Sequence, residues 1–292
     1  MWKRYQPGPY RNFYVYEPKK RLVSAPPFWD RIVHHALCNV IEPLFEKKMI
    51  YDTYACRNNK GSHRAADRTQ QCLREATRRW GTTYCLKCDI KQYFPNVSHD
   101  ILKRICRRTI YCSDTLWLLD TIIDSYTDPN DSIAKRLPIG ALTSQLNANV
   151  YMGKIDHLVK EVWKEPYYIR YMDDFIILSN SKEHLWGIKR EIEKCLNNEM
   201  LLDFNKKTGI FPISQGVDFV GYRIWPTHRL LRKRSIKKFK RKLRVFKKKY
   251  VTGEITYEEI NGCVQSWIGH AKHADSYRLR TKLFREFKLV RR

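Results

Sequence analysis

Residues 168–179 read YIRYMDDFIILS, with Asp173 and Asp174 side by side between two apolar runs. Adjacent carboxylates repel, and buried ones are costly unless a cation or a hydrogen-bond network offsets their charge. A third acid, Asp89, closes the β-rich run GTTYCLKCDI at residues 81–90. A hairpin turn lets the neighbouring pair converge on one site. A strand ending at Asp89 beside that hairpin then adds a third carboxylate, and three at the end of a small sheet make a hard oxygen site suited to Mg²⁺. Two such ions, ~3.5–4 Å apart, activate an attacking hydroxyl and stabilise a leaving phosphate oxygen. The competing reading is an exposed turn, where Asp is common. The DD pair alone does not separate the two.

The elements that must position these acids follow from residue patterning. Helices are expected near 28–47 and 62–80, a strand over 81–90 ending at Asp89, and a helix in NVSHDILKRICRR with Ser98 as N-cap. LPIGALTSQ brings Pro138 and Gly140 together, so a turn precedes a helix starting near 144. That helix carries Leu146, Val150, Ile155, Leu158, Val159 and Val162 on a 3.6-residue period. YYIRYM and FIILS flank the acids as hairpin strands, followed by a helix near 182–200 and short strands over 202–225. Helices alternating with antiparallel strands indicate an α+β core.

Residues 229–250 place thirteen basic residues in 22 positions with no acid, yet Ile236, Phe239, Leu243, Phe246 and Tyr250 fall at helical spacing. A solvated charge run needs no such stripe, so the segment is expected as a helix packed by one face and cationic on the other. A membrane-surface helix shares this signature but leaves the upstream acids unexplained.

Composition agrees with a polyanionic partner. The 292 residues include 56 Lys and Arg against 30 Asp and Glu, a net charge of +26, with 43% hydrophobic and 13% aromatic residues. Such a charge repels itself in isolation, and nucleic acid is the leading counterpart, with an acidic membrane surface or an acidic protein as the alternative. There is no apolar core of signal-peptide length at the start and no run of membrane-span length. The nine cysteines are an odd number without a regular framework, which fits a reducing cytoplasm. Cys85 and Cys88 of CLKC have no matching second pair for zinc, and on a strand they face opposite ways, so core packing is expected of both.

Taken together, the motifs resemble those of reverse transcriptases. YMDD resembles the palm signature, LKCDIKQYFPNV the first acidic motif, LPIGALTSQ the nucleotide-pocket motif and DFVGYRI the primer-grip hairpin. RLVSAPPFWDRIVHHAL and YACRNNKGSHRAA are similar to fingers motifs of the bacterial enzymes, and all occur in the family's order. The resemblance implies a right-hand polymerase of the α+β class. Fingers are expected over 1–80, a palm over 81–228 with a fingers-side insertion near 110–138, and a basic helical thumb over 229–292. It implies that Asp89, Asp173 and Asp174 hold two Mg²⁺ ions, with Mn²⁺ as a substitute and the Ile90 carbonyl as a further ligand. Phe94 matches the steric gate against a ribose hydroxyl, with Tyr93 able to share the role. Lys19 and Arg21 match the cations that clamp a triphosphate. Lys206, next to Lys207, matches the lysine that protonates pyrophosphate, and Gly221 fits the primer-grip turn. Template contacts are expected from Arg57, Lys60, Arg232, Lys233, Arg234, Lys237, Lys238 and Arg241.

One departure narrows the resemblance. Most reverse transcriptases read Gln-Gly and then Ser-Pro in the pocket motif, whereas this chain has Ile139-Gly140 and Ser144-Gln145. The combination resembles the enzymes of diversity-generating retroelements, which copy a template RNA with errors at adenines. That resemblance implies template RNA, primer and cDNA, dNTPs and a small basic pentameric accessory protein as partners. It also implies a thumb ending in SWIGHAKHADSYRLRTKLF with no maturase, endonuclease or RNase H domain. An aliphatic side chain at 139 cannot hydrogen-bond an incoming nucleotide as an amide does. A hydrogen bond worth ~0.5–1.5 kcal/mol changes selectivity by up to about tenfold. Group II intron-like, retron-like and defence-associated reverse transcriptases remain alternatives. So do an RNA-dependent RNA polymerase, against which Phe94 argues, and a non-catalytic basic RNA-binding protein.

Overall fold

The computed structural model describes residues 3–16, 20–128 and 131–290. Its chain forms two compact units, one of Met1–Gly61 with Leu86–Ile210 and the other of Ser62–Cys85 with Phe211–Arg292.

In the first unit, β1 (Arg11–Val15) and β2 (Arg21–Ala25) pair as an antiparallel ribbon with Phe13 opposite Val23. Helix α1 (Phe28–Glu46) buries Asp30, His34, Leu37, Cys38, Ile41 and Phe45, the spacing of one helical face. Asp30, in the first turn, accepts hydrogen bonds from the Tyr5 hydroxyl at 2.9 Å and the Gly8 amide at 2.8 Å. Helix α2 (Ser62–Trp80) belongs to the second unit. Strand β3 (Tyr84–Asp89) ends at the expected acid, and Cys85 and Cys88 are both fully buried in it. A single turn, α3 (Tyr93–Asn96), leads to α4 (His99–Arg107), whose first turn is capped by Ser98 accepting from the Ile101 amide. Helix α5 (Ser113–Asp124) follows.

Helix α6 (Leu142–His157) continues through a π-helical turn over Leu158–Val162. It is buried on most of its circumference, including Thr143, Ser144, Asn147, Asn149 and Asp156, so the single apolar stripe expected from the sequence understates it. Val162, placed on that stripe, is 64% exposed because the π turn rotates the end of the helix out of phase. Strands β4 (Tyr168–Tyr171) and β5 (Asp174–Ser179) form the expected hairpin, with Tyr171 opposite Asp174. Helix α7 (Lys182–Glu199), capped by Ser181, follows, and strand β6 (Gly209–Pro212) completes a sheet of order β4-β5-β3-β6. Phe175–Leu178 of the inner strand β5 are entirely buried.

The second unit holds a meander of β7 (Val217–Phe219), β8 (Tyr222–Ile224) and β9 (Arg229–Leu231), then α8 (Lys233–Val251), α9 (Tyr257–Lys272) and α10 (Tyr277–Glu286). The basic helix therefore starts at Lys233: Arg229–Leu231 pair with β8 instead, following the turn at 226–228. Phe239, Leu243 and Phe246 of α8 pack with Ile260 and Leu283, and Trp267 stacks on Phe239 with ring centroids 4.0 Å apart. Fully burying each such side chain is worth ~1.5–3 kcal/mol, which fixes the helix by its apolar face against its own cationic repulsion. Thr256 and Glu259 form a reciprocal capping box at the start of α9.

Candidate active site

The acid pair is delivered by a two-residue turn. Met172, its first residue, has φ +59°, and Asp174 already belongs to β5. A buried arginine that the sequence reading passed over holds this turn in place. Arg170 is fully buried and donates through Nε to Asp156 Oδ1 at 2.7 Å and through Nη2 to Asp156 Oδ2 at 2.6 Å. Its Nη1 donates to Asn149 Oδ1 at 3.1 Å and to the Met172 carbonyl at 2.9 Å. Tyr168 adds a 2.7 Å bond to Asp156. A charge with every donor direction used and a bidentate carboxylate partner is a tolerable buried ion pair. The signal in the sequence was an arginine inside an apolar strand run and an aspartate inside an apolar helix.

Strand β3 lies beside β5, and the Asp89 charge reaches both Asp173 and Asp174. The Asp89 carbonyl accepts from the Asn205 amide at 2.7 Å and from Thr208 Oγ1 at 3.3 Å. These bonds fasten the turn bearing Lys206 and Lys207 to the backbone of Asp89, and both lysines are exposed. Ile90 is buried and bridges to Phe204.

Each of the two neighbouring acids feels the others. Burial raises the Asp173 carboxyl above its ordinary value and the Asp89 charge adds to this, while Arg21 opposes them. Burial pushes Asp174 up to about 7 against the attraction of Lys87, with Asp89 and Asp173 contributing further repulsion. Lys87 Nζ lies 3.4 Å from Asp174 Oδ2, and the other oxygen, Oδ1, is buried without a hydrogen-bond partner.

Among the described residues, no group of three His, Cys, Asp or Glu side chains is drawn together tightly enough to hold a metal ion. The expected three-carboxylate cage is thus not closed, and Lys87 takes one Asp174 oxygen. The donor set still fits a hard divalent cation: carboxylates only, one with an orphaned buried oxygen.

The remaining expected residues divide. Tyr93 is buried with its hydroxyl donating to the Ala148 carbonyl at 2.6 Å, which makes it part of the core, whereas Phe94 next to it is partly exposed. Ile139 is half-buried, and its carbonyl accepts from the Ser24 amide at 2.8 Å. Gly140 has φ +133°, and a Cβ there would meet the Ser24 carbonyl oxygen at 3.0 Å, so any larger residue is both strained and crowded. Arg21 is exposed near Asp173; Lys19 lies outside the described residues.

The second unit places Gly221 at φ +96° in the β7–β8 turn, preceded by Val220 at +42°, a pattern matching a two-residue hairpin. Beside it the Tyr222 hydroxyl bonds His63 Nδ1 and His270 Nδ1, each at 3.0 Å, and the His270 carbonyl at 2.9 Å. His63 also stacks on His273 with centroids 3.6 Å apart.

Among the expected phosphate contacts, Lys233, Arg234, Lys237, Lys238 and Arg241 lie exposed on α8. Arg57 does not suit that role. It pairs with Glu46, donates to the Ile50 carbonyl at 2.8 Å and bonds Thr53, so its donors are consumed within the fold. Lys60 donates to the Tyr51 carbonyl at 2.8 Å with the Tyr51 ring beneath its charge, and Arg232 is paired with Asp218.

Comparison with known proteins gives this geometry a context. Residues 15–224 match the family described as reverse transcriptase (RNA-dependent DNA polymerase). Protein YkfC of Escherichia coli is 27% identical over 269 residues, covering 79% of this chain and 69% of its own. The group II intron-encoded protein LtrA of Lactococcus lactis is 23% identical over 334 residues, covering 90% of this chain and 52% of its own. The chain thus spans about half of LtrA. Telomerase structures from Candida albicans and Candida tropicalis, both in complex with a TWJ fragment of telomeric RNA, superpose with TM-scores of 0.54 and 0.56, each at 13% identity. They cover 84% and 76% of this chain, and 50% and 44% of their own. That likeness shows the fold, a right-hand polymerase of mixed helix and antiparallel sheet.

Proposed function

Because the chain belongs to the reverse transcriptase family, we propose that it is the RNA-directed DNA polymerase of a diversity-generating retroelement, copying template RNA into cDNA with errors concentrated at adenines. The observation that carries the catalytic part is the pairing of β3 beside β5, which brings the Asp89 charge to bear on Asp173 and Asp174, with one Asp174 oxygen buried and unpartnered. The narrower assignment rests on Ile139-Gly140 and Ser144-Gln145 in the pocket motif.

Asp89, Asp173 and Asp174 would hold two divalent ions, Mg²⁺ by preference, with the Ile90 carbonyl as a further donor. When bound, such ions supply an activated primer hydroxyl and charge neutralisation on the leaving phosphate. The protein's own groups do the rest. Arg21, beside Asp173, and Lys19 draw the triphosphate to the acids, and Phe94 closes the space below the sugar. Lys206, strapped to Asp89, offers a proton to departing pyrophosphate. Gly221 lets the primer-grip turn approach the strand. The exposed cations of α8 bind primer–template phosphates without reading bases.

Fingers, palm and thumb are assigned to 1–80, 81–228 and 229–292. The free cysteines favour a reducing cytoplasm, and no helix among the described residues is long and apolar enough to cross a membrane. A structured template RNA and a basic pentameric accessory protein complete the proposed set of partners.

A second reading, a group II intron-like reverse transcriptase, is favoured by the similarity to LtrA. The test is to supply a defined RNA, a DNA primer, all four dNTPs and Mg²⁺, and to sequence the cDNA. Misincorporation centred on template adenines supports the retroelement reading. Errors spread evenly over the four bases overturn it in favour of the second. Loss of incorporation in the Asp173→Ala, Asp174→Ala double variant is expected; its survival would remove the catalytic assignment.

A further inference from the structure

We infer that Ser24 is a positioning residue for the nucleotide pocket, acting through a hydroxyl relay from Tyr126 to the Ile139–Gly140 turn. The inference rests on the pocket role proposed for that turn.

Three observations converge on Ser24. It is 1% exposed at the end of β2, the strand whose other end carries Arg21. Its amide donates to the Ile139 carbonyl at 2.8 Å, and a side chain on Gly140 would meet its carbonyl oxygen and Val23 Cγ1, each at 3.0 Å. The turn is therefore tied to the β1–β2 ribbon by one backbone bond and packed closely against residues 23 and 24. The Ser24 hydroxyl does not face the turn. It lies 2.8 Å from the Tyr126 hydroxyl.

Tyr126 is in turn fixed. Its ring meets that of Tyr10 edge-on at 5.0 Å, and the Tyr10 hydroxyl lies 2.9 Å from Ser125 Oγ, which donates to the Ile122 carbonyl at the end of α5 at 2.7 Å. A two-stranded ribbon has little stability of its own. Without a side anchor, β2 can shift by fractions of an ångström, and Ile139 and Gly140 shift with it. The Ser24–Tyr126 bond supplies that anchor from a helix end. A second tie runs in parallel, His34 Nδ1 to Thr143 Oγ1 at 3.1 Å, joining α1 to the first turn of α6. With the turn held at both ends, the residue that lines it, Ile139, meets each incoming nucleotide at a fixed distance.

The consequence is specific to nucleotide binding. Removing one hydroxyl bond that holds the turn should raise KM for dNTP about three- to tenfold while leaving kcat within about twofold, because the aspartates are not displaced. The experiment measures dTTP incorporation on poly(rA)–oligo(dT) with Mg²⁺ for the full chain and for Ser24→Ala, Tyr126→Phe, the double variant and Ser24→Thr. Expected are a raised KM in each single variant, no further rise in the double variant, and recovery in Ser24→Thr. If Ser24→Ala fails to fold, the half-buried Tyr126→Phe alone decides. An unchanged KM in folded variants, or a fall in kcat with KM unmoved, overturns the inference. Ile139→Gln is run alongside. If it shifts KM and the Ser24 and Tyr126 variants do not, only the relay is wrong. If it too leaves KM unmoved, the pocket reading fails and the relay with it.

Discussion

Lys87 and Asp174 face each other across adjacent strands, with Nζ 3.4 Å from Oδ2. The lysine opposes a burial effect that otherwise drives the carboxyl towards its neutral form. Lys87→Met should therefore lower dNTP incorporation more at pH 6.5 than at pH 8.5, moving the acidic limb of the pH–rate profile upward, whereas Lys87→Arg should retain most of the wild-type profile. A loss of equal size at every pH would show that the lysine acts otherwise.

The same acid controls stability in the opposite sense from a typical paired carboxylate. Its folded value, about 7, lies above the ordinary 3.8. The folded state therefore holds a proton that the unfolded chain has released, and this group's contribution is most favourable at low pH and is lost as pH rises from about 4 to about 7. Asp174→Asn should raise metal-free stability at pH 8 by roughly 1–3 kcal/mol and by less at pH 5. Millimolar Mg²⁺ should stabilise the wild type at pH 8 and not the variant. Thermal melts in the presence and absence of chelator give both numbers.

Arg170 and Asp156 form a buried pair, so removing one partner strands the other. Arg170→Met should destabilise by ~3–5 kcal/mol and release the Met172 carbonyl that orients the acid turn. Urea unfolding gives the first effect. Where the variant remains folded at low temperature, a kcat loss exceeding any change in dNTP KM gives the second.

Ile139→Gln restores an amide to the pocket. Misincorporation opposite template adenine should fall by up to about tenfold, read by sequencing cDNA from one defined RNA. Unchanged adenine errors would show that this side chain does not set fidelity.

The Tyr222 cluster predicts acid sensitivity in the second unit. Burial lowers both His63 and His270 from 6.5, and His273 lowers them further. Around His63, Asp67 pulls the other way and Arg229 the same way; around His270, His63 and Arg232 also lower it. The folded state binds fewer protons than the unfolded one, so stability falls as pH drops through about 6.5. His63→Gln with His270→Gln should flatten the melting temperature between pH 7.5 and 5.5.

The sequence by itself determined the elements and the acids. Apolar spacing located α1, α7 and the packed face of α8, β-formers located β3 and β5, and Ser98 marked the start of α4, because these signals are local and repeat at the period of the backbone. The Asp pair and Asp89 stood out as acids bordering strand-like runs, although the pair alone fits an exposed turn equally well. Tertiary structure alone decided which polar groups are spent and which are offered. Arg57 and Lys60 look like surface cations in sequence, yet folding turns their donors onto nearby carbonyls and carboxylates. Arg170 and Asp156, fourteen residues apart, become the brace of the acid turn, and Lys87 becomes the counter-ion of Asp174 across a strand pair that no local pattern specifies. Hydrogen bonds and ion pairs act over a few ångströms, so partners distant in sequence are fixed only when the sheet and helices close around them.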